Sequence, residues 1–156
     1  LRNDQPLPYP GRQGRDPQMK KRRKSREEAL RMLFQFDATG DPLEEIIGYY
    51  WEPFSQVNEL EVRAYAAHLF RGTVAHRREL DDKIQDVSTH WNMSRMFMVD
   101  KNILRLALFE MMLQREVPPA VVIDEAIEIS KVYGTESSPK FINGILDALA
   151  KREKLK

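Results

Sequence analysis

The sequence of 156 residues contains no cysteine. That excludes disulfides, thiol nucleophiles and cysteine-ligated zinc, and it fits a reducing cytoplasm, where we expect the protein to work. No run approaches the roughly 18 to 20 consecutive apolar residues that a membrane span needs. No apolar block follows the first basic residues, so no secretory signal is expected. There are only three histidines, His68, His76 and His90, far apart and without metal-ligand spacing. The seven glycines form neither a phosphate-binding loop nor a dinucleotide fingerprint. Serine never stands in a nucleophile elbow. The acidic pairs Glu27-Glu28, Asp81-Asp82 and Asp124-Glu125 are sequence neighbours, which on a helix do not share a face. These absences leave no candidate catalytic residue, metal site or cofactor site, and we expect a protein that is not an enzyme.

Hydrophobic residues make up 42% of the chain, enough for one ordinary core. The net charge of +1 hides an asymmetry. Residues 1–24 hold eight Lys/Arg and two Asp, giving +6, and the remaining residues hold 17 Lys/Arg and 22 Asp/Glu, giving −5. Residues 1–19 are rich in Pro, Gly, Gln and Arg and poor in bulky apolar groups, so they are expected to be a disordered extension. Met19 directly precedes Lys20-Lys21-Arg22-Arg23-Lys24 and reads as a native start. The basic run, with Arg26, has two readings: a nucleic-acid contact whose strength falls with salt, or a solvated charge run.

From Ser25 the period is helical. Ser25 and Glu28 have capping-box spacing, with extension of the first turn through the basic run as the alternative, and Ala29, Leu30, Leu33 and Phe34 form a stripe ending at Gly40. Asp41-Pro42 reads as cap and first residue of a short helix ending near Pro53. Residues 59–77 and 77–89 read as two more helices. Gly72, inside the first of these, is assigned to close packing. Met93 to Met98 make a short turn. Asp100 is expected to cap a central helix that runs to about Arg115 and has a wide apolar face. Val121-Val122-Ile123 alone suits a strand, but helical spacing continues to Tyr133, with Gly134 just beyond the end. Ser138-Pro139 starts the last helix, in which Gly144 is assigned to a close helix approach. The methionines at 93, 96, 98, 111 and 112 suit core filling better than an adaptable binding surface. Six or seven short-linked helices and no surviving strand give an all-α bundle as one domain, 20–156. Phe141 beside Lys140, near a helix N-terminus, suits base stacking and a phosphate contact, or else an ordinary core phenylalanine.

Four segments, in order, resemble the NusB family of bacterial transcription antitermination factors. They are Arg22-Arg23-Lys24-Ser25-Arg26-Glu27-Glu28-Ala29-Leu30 with Leu33-Phe34, then Val99 to Glu110, then Pro118 to Gly134, and finally Ser138-Pro139-Lys140-Phe141-Ile142-Asn143-Gly144-Ile145-Leu146-Asp147. The resemblance covers roughly residues 20–152. It implies an all-α, NusB-like bundle of about seven helices in two subbundles. It further implies binding of boxA-type single-stranded RNA from ribosomal RNA leader transcripts, together with NusE, a small-subunit ribosomal protein, within an RNA polymerase antitermination complex. By motif position it assigns RNA contacts to Arg22, Arg23, Arg26, Arg105, Lys140 and Phe141, with Ser137 in a segment near the RNA, and NusE contacts to Phe34 and Asp100; Lys20, Lys21 and Lys24 join the RNA contacts as the rest of the basic run. Some members carry Asp at the position of Ser137, so the neutral residue here is expected to repel phosphate less. Two alternatives stay open. One is an RNA-recognition module like that preceding the catalytic domain of some ribosomal RNA cytosine methyltransferases, whose chemistry needs a cysteine and an α/β domain that this sequence lacks. The other is a structural homodimer without RNA binding; the family resemblance leaves monomer and dimer both open.

Overall fold

A computed structural model describes residues 17–51 and 59–155. Most of the expected N-terminal extension, residues 1–16, lies outside the described residues, as does the expected helix end near Pro53.

Among the described residues seven α-helices follow one another in the sequence. They are α1 (Pro17–Thr39), α2 (Leu43–Tyr50), α3 (Leu60–Ala75), α4 (Arg77–Val87), α5 (Met98–Leu108), α6 (Pro119–Tyr133) and α7 (Ser138–Arg152), with no strand among the described residues. A single 3₁₀ turn, Met93–Arg95, precedes α5, and the Asn92 side chain caps it by accepting from the Ser94 N–H. After Leu108 the α5 helix widens into π-helical turns over Phe109–Gln114. It stops where Arg115 turns left-handed at φ 61°, just before Pro118-Pro119.

The helices form two groups with α5 between them. In one, α1 packs along α3 and carries α2; in the other, α6 and α7 pack together and α4 joins α7. The α5 helix touches α1, α3, α4, α6 and α7, which makes it the centre that its wide apolar face predicts. Leu30, Met32, Leu69, Phe70, Leu104, Leu108, Met111, Ile142 and Leu146 are fully buried around it. Met93, Met96 and Met111 are core residues, whereas Met98 is exposed. No described helix is long and apolar enough to cross a membrane.

Several local expectations are corrected. The α1 helix begins at Pro17, not after Lys24. Proline needs no helical N–H at the first position and has a φ already suited to a helix. Ser25 is therefore mid-helix and caps nothing; its hydroxyl donates to the Val62 carbonyl of α3 at 2.9 Å. Asp41 does not cap α2, whose cap position is Pro42; it accepts from the Tyr49 hydroxyl instead. Asp100 lies inside the first turn of α5, not at its cap, which is Phe97. Likewise the cap position of α7 is Ser137, one residue before the serine expected to serve. Gly134 ends α6 with an extended φ of −96°, not a left-handed one. Gly72 meets its expectation: a Cβ there would sit 2.0 Å from the Phe109 ring. Gly144 does not, because it is exposed and a Cβ there would meet nothing within 4 Å.

Candidate nucleic-acid interface

The basic run Lys20–Lys24 occupies two turns of α1, so its side chains point in several directions rather than forming a loose arm. Lys20 is exposed. Lys21 pairs with Glu61 at 2.5 Å and Glu59 at 3.3 Å. The Arg22 guanidinium lies over the Tyr65 ring, 3.5 Å from its centroid. Lys24 pairs with Glu28 one turn on, at 2.9 Å. The Lys21 pairs, whose carboxylates are exposed, contribute about 0 to 1 kcal/mol each, so a polyanion can compete for that cation, whereas Glu28 is buried and holds Lys24 more firmly.

Arg23 is held more firmly. Its Nε and Nη2 donate to the two carboxylate oxygens of Glu125 in α6, at 2.9 and 2.6 Å. Glu125 is buried, whereas the Arg23 side chain remains 27% exposed. Arg26, one turn along, is itself buried. Its Nε and Nη2 donate to Glu110 at 2.8 and 2.7 Å. The Tyr65 hydroxyl also donates to Glu110, at 2.6 Å, and Gln114 donates to that hydroxyl. Burial, together with the Glu110 charge, holds the Tyr65 hydroxyl well above the usual phenol range. The π-helical turns aim Glu110 inward at this cluster. The structure thus gives Arg26 an internal role that differs from the surface contact expected of it.

Arg105 departs from expectation in the same way. It is buried, with Nε and Nη2 donating to Asp81 of α4 at 2.6 and 2.9 Å and Nη1 donating to Asn102 at 3.0 Å. Asn102 in turn donates to Asp37 of α1, which also pairs with Arg77. This chain of polar groups ties α1, α4 and α5 together.

At the start of α7 the groups are more accessible. Ser137 and Lys140 are exposed, and Phe141 is half-buried. The Phe141 ring meets Trp91 edge-on, with centroids 6.2 Å apart. Trp91 is 56% exposed, and Phe97 and Met98 at the start of α5 are exposed too. Trp91 and Phe97 are exposed aromatic surface that the sequence pattern does not mark. Their aromatic character was visible, but their exposure depends on the connection between α4 and α5. Asp100 is buried nearby and accepts from the Ser138 hydroxyl at 2.7 Å, while the Ser138 hydroxyl oxygen accepts from the Thr135 N–H at 2.9 Å. Desolvation pushes the Asp100 carboxyl up, and the Ser138 hydrogen bond partly offsets this. Phe34 is half-buried and packs against the core.

The expected contacts therefore fall into two patches. Arg23 meets Glu125 and, eight residues on, Arg31 meets Tyr133. So α1 and α6 run side by side in the same direction, with Arg23 beside the middle of α6 and the residues before it directed towards the start of α6. Lys140 and Phe141 lie past the other end of α6. Eight residues separate Glu125 from Tyr133 at the end of α6, so at 1.5 Å per residue that helix advances about 12 Å between the Arg23 contact and the second patch. Among the described residues, no group of His, Asp and Glu is placed to hold a metal ion.

Comparison with known proteins bears on the whole arrangement. The model of the NusB family matches residues 23–151. The transcription antitermination protein NusB of Anaeromyxobacter sp. (strain Fw109-5) is 46% identical over 130 residues, spanning 83% of this chain and 90% of that protein. The solved structure of T. maritima NusB superposes with a TM-score of 0.74 at 38% identity, covering 83% of this chain and 90% of that one. A chain in the crystal structure of the antitermination factors NusB and NusE in complex with double-stranded RNA superposes with a TM-score of 0.77 at 28% identity, covering 86% and 98%.

Proposed function

Because the chain belongs to the NusB family, we propose that it is a transcription antitermination factor that binds boxA-type RNA of ribosomal RNA leader transcripts together with NusE. The observation that carries this reading is the pairing of family membership with two accessible surfaces suited to single-stranded RNA. A single strand needs cations that follow its backbone and flat groups on which unpaired bases stack. The start of α1 supplies Lys20, Lys21, Arg22, Arg23 and Lys24. The start of α7 supplies Lys140 and Phe141, with Ser137 beside them and Trp91 at the edge of the ring.

Arg26 and Arg105 serve this function from inside. Arg26 fixes the basic turns of α1 against α5, and Arg105 fixes α4 against α5. Phe34 and the Asp100 region form the partner-facing part of the proposal. NusE bound there would complete a composite surface, so RNA affinity rises when both proteins are present. The protein would act within an RNA polymerase antitermination complex in the cytoplasm.

Gel shift with a boxA oligonucleotide and a scrambled strand of equal length tests the reading. Preferential binding of boxA in the presence of NusE supports it. Equal, weak binding of both strands with and without NusE rejects it and favours a structural dimer.

A further inference from the structure

Arg23 is the most deeply engaged of the exposed cations on α1, and its partner Glu125 is a buried carboxylate. Pulling Arg23 away towards an RNA phosphate would strand that carboxylate, a costly outcome in a buried site. The structure holds a reserve partner. Arg26 Nη1 is buried and has no hydrogen-bond partner, although the other two donor nitrogens of Arg26 are bound to Glu110. That unused nitrogen lies 3.5 Å from Glu125 Oε1, the same oxygen that now accepts from Arg23 Nε. A shift of several tenths of an ångström would bring it within hydrogen-bond distance.

The geometry points to an exchange: when RNA takes Arg23, Glu125 passes from Arg23 to Arg26 Nη1. Arg26 is then a positioning residue that never touches RNA, and Glu125 is a competitor that holds Arg23 back in the free protein. Glu27 and Glu128 also lie near Arg23 and add to the hold on it, and as carboxylates they offer Glu125 no substitute partner. In the exchanged state Arg26 alone faces both Glu110 and Glu125, so the hydrogen bond to Glu125 is replaced while the site keeps one cation for two carboxylates. The exchange rests on the proposal that the start of α1 binds RNA.

The test titrates a boxA-type single-stranded oligonucleotide against the full chain, wild type and Glu125→Gln, at two salt concentrations. Glutamine keeps the side-chain volume and removes the competing charge. The Glu125→Gln protein is expected to bind roughly threefold to tenfold tighter, as expected when one competing ion pair is removed. Its salt dependence should be at least as steep as that of wild type, because Arg23 is now free to meet a phosphate. Equal or weaker binding by folded Glu125→Gln overturns the exchange. Side-chain NMR of the arginines in the wild-type protein provides a second readout that needs no variant. On saturation with RNA, both the Arg23 Nε–H and the Arg26 Nη signals should shift; an Arg26 signal that stays in place while Arg23 moves overturns the exchange. Wild-type protein that shows no binding at either salt concentration overturns the RNA reading itself, and the exchange with it.

Discussion

Asp100 has a carboxylate in the first turn of α5, where the helix dipole favours a negative charge, yet burial works against that charge. Burial wins, and the carboxyl sits above its ordinary value. A carboxyl raised in the folded state binds its proton more tightly folded than unfolded. Its contribution to stability is complete below the unfolded pKa and is lost as pH rises through the folded one. Near neutrality the ionised Asp100 therefore costs stability. Asn keeps an oxygen that can accept from Ser138 and carries no charge, so Asp100→Asn is expected to gain stability relative to wild type as pH rises from about 4 to 7. Urea denaturation at several pH values checks this; a difference that does not change with pH contradicts it. Arg26 makes the opposite case. Removing it leaves Glu110 buried with only Tyr65 as donor, so Arg26→Ala should cost about 3 to 5 kcal/mol. The same change at exposed Lys20 should cost less than about 0.5 kcal/mol. Equal losses at the two positions would contradict these roles.

At the scale of elements, α3 lies tightly against the widened end of α5. Gly72 leaves room for the Phe109 ring, which lies between the His68 and His76 rings. Gly72→Ala should destabilise the protein by about 1 to 3 kcal/mol through overpacking, and Phe109→Leu added to it should restore part of the loss. Thermal denaturation of the single and double variants measures this; additive losses would contradict it. Gly72 was legible in the sequence because it interrupts a strong apolar stripe. Gly144 carried the same signal and faces solvent, since a glycine on a helix says nothing about which side its neighbours occupy. The helices themselves were legible from apolar spacing, including α6, whose Val121-Val122-Ile123 alone suits a strand. The start of α1 was not. Its basic turns are steadied by Glu61, Tyr65 and Glu125, which lie far along the chain, so nothing local announces them. For the same reason the burial of Arg26 and Arg105 was hidden. Motif position marked them as arginines of interest, but their partners Glu110 and Asp81 become neighbours only when α1, α4 and α5 pack.

At the scale of the whole molecule, a mildly acidic body presents the cations proposed to meet RNA at the start of α1 and the start of α7. Replacing Arg22 and Arg23 by Ala together should weaken binding of boxA RNA and flatten its dependence on salt, because fewer counterions are released. An unchanged slope would remove α1 from the interface. Ser137→Asp should lower RNA affinity by placing a negative charge beside Lys140 on the second patch; equal affinity would show that no phosphate passes there. Both variants lie on exposed or half-exposed positions, so a loss of binding can be separated from a loss of fold by circular dichroism. The central claim joins both patches to a partner protein. It is tested most directly by titrating boxA RNA against the protein, with and without NusE, at two salt concentrations. The account predicts binding that weakens with salt and tightens when NusE is present. Affinity that ignores both NusE and salt would contradict it.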